Sequence, residues 1–251
     1  MTQKIKLSVV IPAYNEEHNL KRGVLRLVAD YLSRQKYAWE VLVVDDGSTD
    51  GTARLASDFA KKNKGFKVLK EPHRGKAGTV IAGMLKARGD IVLFADMDQS
   101  TPLDQVEKFL PEFDRGADVV IGSRSGRKGA PFSRKVMAFG FALLRTLVLR
   151  LPFRDTQTGF KAFTKRANKK LFTKMHEINK GRVFSGASVT AGFDIEFLYI
   201  ARKMGLKVKE VPVSWQYEEG ASGKSAVKGA IDGLKGIIAV RMNSWSGRYK
   251  I

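Results

Sequence analysis

Cysteine is absent from this chain of 251 residues, and histidine occurs only three times. The absence of cysteine excludes disulfides, a cysteine nucleophile and thiolate metal sites, and it agrees with a reducing compartment. Any bound metal ion would therefore be held by oxygen ligands or by histidine.

Long hydrophobic runs are also lacking. The most apolar stretch, residues 136–151, is interrupted by Arg145 and Arg150, and its longest uncharged part is about half of the roughly 20 residues that a membrane crossing needs. The first residues lack the apolar core of a signal peptide. We therefore expect no signal peptide and no transmembrane helix, and a peripheral position if the protein meets a membrane.

Acidic residues are few, with 25 Asp and Glu against 45 Lys and Arg, so the formal net charge is +20. Such a charge predicts a polyanionic partner, which is nucleic acid, an anionic membrane surface or a phosphorylated substrate. The aromatic residues lie within apolar runs, and no helix-turn-helix or zinc spacing is present. We therefore expect that nucleic acid is not the partner. The alternative class of protein that the charge leaves open is a basic nucleic-acid-binding protein.

Short apolar runs alternate with helical periods as far as about residue 122. This alternation predicts βαβ units and an α/β fold with a mostly parallel sheet flanked by helices. The predicted strands are residues 7–11, 40–44, 66–69, 91–95 and 118–121, and the predicted helices are residues 17–34, 52–62, 77–87 and 103–113. Beyond residue 122 we predict a helix from residue 132, a loop at 155–163, a helix at 194–203, a strand at 207–213 and a helix at 226–242.

Polar residues follow three of the predicted strands. Asp96 and Asp98 come directly after the run 91–95, where an open α/β sheet binds its ligand, and two carboxylates there suit a divalent metal ion. Residues 12–17 (Pro-Ala-Tyr-Asn-Glu-Glu) and 45–48 (Asp-Asp-Gly-Ser) follow the first two strands. Lys76 precedes a helix in the sequence Arg-Gly-Lys-Ala-Gly and could face a phosphate, although a solvated basic turn is the alternative.

Taken together in chain order, with the Asp96 and Asp98 pair last, these four motifs resemble the inverting nucleotide-sugar glycosyltransferases of family 2, which have the GT-A fold. The resemblance implies one domain over residues 1–251, with a nucleotide-sugar-binding half (1–122) and an acceptor and membrane-facing half (123–251). It implies that Asp96 and Asp98 reach the ribose and a Mg²⁺ or Mn²⁺ ion on the diphosphate. The residues it assigns to the nucleotide-sugar site are Pro12, Ala13, Tyr14, Glu16, Asp45, Asp46, Lys76 and Asp96.

The second half narrows the resemblance. Residues 154–163, 193–196 and 211–215 are similar to those of polyprenyl-phosphate sugar transferases, most of all the dolichyl-phosphate glucosyltransferases, with the mannosyltransferases next. This implies UDP-glucose as donor, with GDP-mannose as the alternative, and a polyprenyl phosphate of dolichyl type as acceptor. The acceptor is a phosphomonoester and is largely a dianion near neutral pH, so it can attack the anomeric carbon of the sugar without a general base from the protein.

Basic and polar residues of the second half are candidates for the acceptor phosphate, although each could be a simply solvated group. They are Arg124, Arg127, Arg134, Gln157, Ser222 and Lys224. We predict that Arg124 is also a catalytic residue, together with Asp96 and Asp98. One departure concerns Gln99, which follows Asp98 directly where mannosyltransferases of this group often have glutamine two places beyond the second acid. The third metal ligand and the roles of Asp194 and Glu196 are left open.

The segments 132–151 and 226–242 combine apolar and basic residues at helical spacing. They predict amphipathic helices that lie on an anionic membrane surface, with each basic group worth about 1 kcal/mol near the headgroups. Ordinary packing against the sheet is the alternative. We expect a peripheral protein on the cytoplasmic face of the cell or endoplasmic reticulum membrane, and an oligomer is possible.

Overall fold

A computed structural model describes residues 4–124, 132–180, 192–216 and 226–251, and for residues 132–139 and 226–232 it describes the backbone alone. A seven-stranded sheet has the order β3-β2-β1-β4-β6-β5-β7. The strands are β1 (Leu7–Ala13), β2 (Trp39–Asp45), β3 (Phe66–Lys70), β4 (Ile91–Ala95), β5 (Val119–Arg124), β6 (Phe160–Thr164) and β7 (Val208–Val213).

Helices cover both faces of the sheet, and a 3₁₀ helix (Leu103–Lys108) precedes α5. They are α1 (Glu17–Lys21), α2 (Val24–Ser33), α3 (Thr52–Lys62), α4 (Gly75–Lys86), α5 (Leu110–Asp114), α6 (Phe132–Leu149), α7 (Lys165–Asn179), α8 (Phe193–Lys203) and α9 (Ala226–Trp245). Strands β1 and β4 are buried along their whole length, as expected for central strands with helices on both faces. Two hydrophobic clusters, one on each face, form the core.

The expected α/β class and the mostly parallel sheet are confirmed. Strands β1 to β4 pair in parallel, and β5 pairs in parallel with β7. Strand β6 is antiparallel to both of its neighbours, β4 and β5. Because β6 joins β4 to β5, the second half of the chain extends the sheet that the first half begins.

The structure corrects three of the predicted elements and adds one helix that was not predicted. The helix predicted at 17–34 is two helices, because Gly23 between them has a left-handed φ of 82°. The helix predicted at 103–113 is the 3₁₀ helix followed by α5. The loop predicted at 155–163 ends in β6, and α7 was not identified, although Ala167, Leu171 and Met175 form its buried stripe.

Helices α6 and α9 pack against each other, where the Phe141 ring lies close to Gly233. Both expose apolar side chains, which are Leu143, Leu144, Leu147, Leu234, Ile238, Met242 and Trp245. Other residues of these helices are buried, among them Leu149, Ile237 and Val240. Among the described residues, none of the helices combines the length and the hydrophobicity that a membrane span needs.

Candidate active site

The parallel arrangement brings the carboxyl ends of β1, β2 and β4 to one edge of the sheet. Ala13 is in register with Asp45, so Tyr14 and Asp46 follow side by side, and Asp96 follows β4 at the same edge. Pro12 and Ala13 are buried within β1. Side chains from motifs far apart in the sequence therefore meet where an α/β sheet binds its ligand.

Tyr14 stacks on His73, with ring centroids 4.3 Å apart and an angle of 24° between the planes. His73 Nδ1 lies 2.9 Å from Asp46 Oδ2, and the Arg74 backbone N–H donates to Asp46 Oδ1 at 2.8 Å. These contacts hold the Asp46 carboxylate, which is 2% exposed, at the edge of the sheet. Sequence analysis missed His73, and its place immediately before the Arg-Gly-Lys motif was the available signal.

Asp45 is buried, and within the described part of the chain its Oδ1 atom has no hydrogen-bond partner. A buried carboxylate oxygen without a partner costs stability, and such groups cluster at sites that bind ligands. The sheet edge therefore presents one acid already engaged, Asp46, and one with an unused acceptor, Asp45.

Lys76, in the first turn of α4, forms an ion pair with Asp96, with 2.6 Å between Nζ and Oδ1. Burial alone would lower the pKa of Lys76, but the carboxylates of Asp96, Asp194 and Asp98 outweigh it and raise that pKa above its usual value. The pKa of Glu16 is also raised, by burial first and then by the charges of Asp98 and Asp96. The structure thus brings these predicted site residues, Glu16, Lys76, Asp96 and Asp98, into one electrostatic cluster.

Asp98 Oδ1 accepts a hydrogen bond from the Ser100 backbone N–H at 2.9 Å, and Met97 between the two acids is buried in the core. Gln99 has a left-handed φ of 51° and donates through Nε2 to the backbone oxygen of Asp96 at 2.9 Å. Within the part of the chain that the structure describes, no group of three or more acidic or histidine side chains could hold a metal ion. Two carboxylates nevertheless suit Mg²⁺ or Mn²⁺, because these ions commonly take their other ligands from substrate phosphates and water.

Gly159 lies directly against the Asp96 carboxylate. A Cβ atom added to Gly159 would come within 1.8 Å of Asp96 Oδ2 and 2.3 Å of its Cγ. The two backbones are also joined, since Asp96 N–H donates to Gly159 O at 3.2 Å. Only glycine leaves room for the Asp96 side chain in its present position.

Arg124, at the end of β5, forms a bidentate pair with Asp155, at 2.6 Å from Nε to Oδ2 and 3.0 Å from Nη2 to Oδ1. The guanidinium also lies over the Trp215 ring, with Cζ 5.6 Å from the centroid. Burial would raise the pKa of the Asp155 carboxyl, but the hydrogen bonds and charge of Arg124 hold it well below its usual range. Glu210 fixes the loop by accepting from the backbone N–H groups of Arg154 and Asp155.

The other predicted acceptor residues are less well placed or lie outside the described part. The Gln157 side chain is exposed, and its backbone N–H donates to Asp155 Oδ1 at 3.0 Å. Arg127, Ser222 and Lys224 lie outside the described residues, and Arg134 lies where only the backbone is described.

The residues whose roles were left open divide into two kinds. Asp194 pairs with the fully buried Lys161 at 2.8 Å, and its charge raises the pKa values of both Lys76 and Arg124, although burial opposes the rise in each. Glu196 is buried and accepts a hydrogen bond from Tyr249 OH at 2.6 Å. Asp194 therefore belongs to the electrostatic field of the site, whereas Glu196 holds the C-terminal residues on α8.

The sequence model of glycosyl transferase family 2 matches residues 8–172, about two thirds of the chain. This chain belongs to glycosyltransferase family 2. Its α/β sheet is therefore that of a GT-A glycosyltransferase, and the chain is an enzyme of this class, as the sequence motifs predicted.

Curated relatives of this family 2 glycosyltransferase extend over nearly all of the chain. A dolichyl-phosphate beta-glucosyltransferase from Trichomonas vaginalis is 32% identical, over 98% of this chain and 77% of that protein. One from Drosophila melanogaster is 36% identical, over 86% of this chain and 69% of that protein. The predicted resemblance to this branch is confirmed.

A solved structure with a similar fold is glucosyl-3-phosphoglycerate synthase from Mycobacterium tuberculosis in complex with Mn²⁺, UDP-glucose and phosphoglyceric acid. The TM-score is 0.59 at 18% sequence identity, and the alignment covers 95% of this chain and 80% of that one. At this identity the likeness supports the fold.

Proposed function

We propose that this glycosyltransferase transfers glucose, with inversion, from UDP-glucose to a polyprenyl phosphate of dolichyl type at a membrane surface. The observation that carries the proposal is the extent of the similarity, because dolichyl-phosphate beta-glucosyltransferases match this chain over 98% and 86% of its length. The nucleotide-sugar site lies at the edge formed by β1, β2 and β4, with Tyr14 and His73 as a stacked platform beside Asp46.

The chemistry requires an acceptor nucleophile and stabilisation of the leaving diphosphate. The acceptor phosphate is already largely dianionic near neutral pH, so the protein needs to position it and to balance its charge. Arg124 is suited to this task because Asp155 and Trp215 fix its guanidinium. On the donor side Lys76 keeps its proton, because the neighbouring carboxylates raise its pKa, and can donate to the diphosphate.

Asp96 and Asp98 are the residues that would hold a divalent ion. When bound, such an ion stabilises the negative charge that develops on the leaving diphosphate. The donor set fits this role, since two carboxylates supply hard oxygen ligands and the diphosphate supplies others. The structure of similar fold that was solved with Mn²⁺ and UDP-glucose supports the use of a divalent ion.

The exposed apolar side chains of α6 and α9 support a position on the membrane surface. In α9 the exposed residues Leu234, Ile238, Met242 and Trp245 recur every three or four positions, so they share one face. Arg241 lies over the Trp245 ring at 4.8 Å, which combines a cation with an aromatic residue of the kind found at interfaces. A polyprenyl phosphate is itself confined to the membrane, so such a face would bring the site to its acceptor.

The proposal is tested by incubating purified protein and MgCl₂ or MnCl₂ with dolichyl phosphate in anionic vesicles and one donor at a time. UDP-glucose should give a glucosyl lipid of β configuration, while GDP-mannose should give little product. Product from GDP-mannose alone would overturn the donor, and no sugar-lipid from any donor would overturn the proposed reaction. Asp96→Asn serves as the inactive control.

A further inference from the structure

A second arginine contacts the loop that holds Arg124. Arg145, in α6, is 1% exposed, and its Nη1 donates to Thr156 Oγ1 at 3.2 Å. Its Nε and Nη2 atoms are buried, and no described residue forms a hydrogen bond with either of them. A buried guanidinium with two unused donors costs stability unless a ligand satisfies it.

No described acid takes these two donors. The charges of Asp155 and Glu210 act on Arg145, but Asp155 is bonded to Arg124, and Glu210 is bonded to backbone N–H groups. Arg124 and Arg145 therefore contact adjacent residues of one loop, and the Asp155 carboxylate is bonded to Arg124.

The position of Arg145 on α6 indicates where a ligand would come from. Leu143, Leu144 and Leu147 are exposed, whereas Arg145 and Leu149 lie on the opposite, buried face of the same helix. Together the two faces suit a ligand that has an anionic end for the buried guanidinium and an apolar part for the exposed side of α6. A polyprenyl phosphate has this shape.

We propose that Arg145 binds the phosphate group of the polyprenyl phosphate acceptor, with Nε and Nη2 donating to two phosphate oxygens. The same two atoms of Arg124 hold Asp155, which shows that this side of a guanidinium can form a bidentate pair here. The inference rests on the proposed function and deepens it, because it adds a residue to the acceptor site.

The test compares Arg145→Met and Arg145→Lys with Arg26→Met, which replaces an exposed arginine of α2. With farnesyl phosphate as acceptor, Arg145→Met should raise the acceptor KM about tenfold to a hundredfold, the scale of a lost charged hydrogen bond, and leave the KM for UDP-glucose within about twofold. The acceptor KM of Arg145→Lys should lie between those of the wild type and Arg145→Met, because lysine keeps the positive charge but lacks the two parallel donors of the guanidinium. Arg26→Met should match the wild type.

A thermal measurement separates binding from a structural role. Without ligand, Arg145→Met should unfold close to the wild-type temperature, because the removal of two unpaired buried donors offsets the loss of the hydrogen bond to Thr156 and of the contact with the Phe141 ring. Farnesyl phosphate or inorganic phosphate should stabilise this variant less than the wild type, because Arg124 alone remains of the two arginines proposed to bind the phosphate. A lower unfolding temperature with an unchanged acceptor KM would make Arg145 structural and overturn the inference, and so would an effect confined to the KM for UDP-glucose.

The failure of the proposed function gives a different result. If the wild type transfers no sugar to farnesyl phosphate from any donor, the proposed reaction is wrong, whatever Arg145 does. A smaller stabilisation by phosphate in Arg145→Met than in the wild type would then still support a phosphate site at Arg145, and an equal stabilisation of the two proteins would overturn it.

Discussion

Replacing Gly159 with alanine puts a methyl group where the Asp96 carboxylate lies. The added Cβ would be 1.8 Å from Asp96 Oδ2, so the carboxylate must retreat by about 1.6 Å to reach the 3.4 Å of ordinary contact. The φ of Gly159 lies outside the left-handed region, so alanine fits the backbone itself. The clash therefore falls on the Asp96 side chain.

The effects on stability and on activity should differ in size. Asp96 is one-third exposed and can rotate away, and its surface ion pair with Lys76 contributes little, so the free energy of unfolding should fall by about 1–2 kcal/mol. A displacement of this size at a reacting centre costs about a hundredfold in rate. We expect kcat to fall by about a hundredfold or more while the fold is retained.

The matched control is Gly140→Ala in α6, where an added Cβ meets nothing within 4 Å. This variant should keep full activity and gain about 0.5–1 kcal/mol of stability, because alanine favours the helix. Initial rates with UDP-glucose and farnesyl phosphate, together with urea unfolding, measure both effects. A folded Gly159→Ala protein with a wild-type kcat would refute the assignment of Asp96 to the reacting centre.

Three further variants test separate parts of the site and surface. Asp98→Asn should keep the fold and lower kcat by about a hundredfold or more, the scale of losing one electrostatic contact to developing charge; wild-type turnover would remove Asp98 from the metal site. Asp155→Asn should lower the free energy of unfolding at pH 7 by about 3 kcal/mol, because it breaks a buried ion pair. The folded-state pKa of Asp155 is depressed, so the pair stabilises the protein above the unfolded pKa of about 4, and this stability is lost as the pH falls below that value. If Asp155→Asn lowers the free energy of unfolding by the same amount at pH 7 and at pH 2 in urea unfolding, the ion pair is contradicted. Replacing both Ile238 and Trp245 with serine should weaken binding to anionic vesicles at least about tenfold in flotation, because burying one such side chain is worth about 1.5–3 kcal/mol. The control is Leu27→Ser, which replaces an exposed leucine of α2 and should bind vesicles as the wild type does.

The elements that the sequence predicted well are those whose pattern is local. The strand at 91–95 and the helix at 52–62 have the predicted bounds, because apolar runs and helical periods follow directly from burial in a parallel sheet. The acids after β1, β2 and β4 could also be placed, because parallel strands end at one edge. The break at Gly23 was missed because a single glycine inside a helical period does not by itself end a helix.

Long-range contacts explain most of what the sequence did not reveal. The sequence predicts that Lys161 lies in a loop, whereas the structure places it fully buried in β6. Its ammonium group contacts Asp194 and lies over the rings of Phe94 and Phe197. These partners of Lys161 lie more than 30 residues away in the sequence, so no local sequence pattern predicts that this lysine is buried and paired. The unpaired donors of Arg145 were hidden for the same reason, since its apolar neighbours suggested only a basic residue at a membrane surface.

The segment from Asp155 to Lys161 joins the donor side of the site to the acceptor side. Asp155 holds Arg124, Thr156 contacts Arg145, Gly159 lies against Asp96, and Lys161 holds Asp194. Each of these contacts is short and at least partly buried, so a shift of this segment would move groups on both sides together. The antiparallel insertion of β6 between β4 and β5 fixes the end of this segment by backbone pairing on both edges, so a stretch predicted as a loop can set the distance between the proposed donor and acceptor sites.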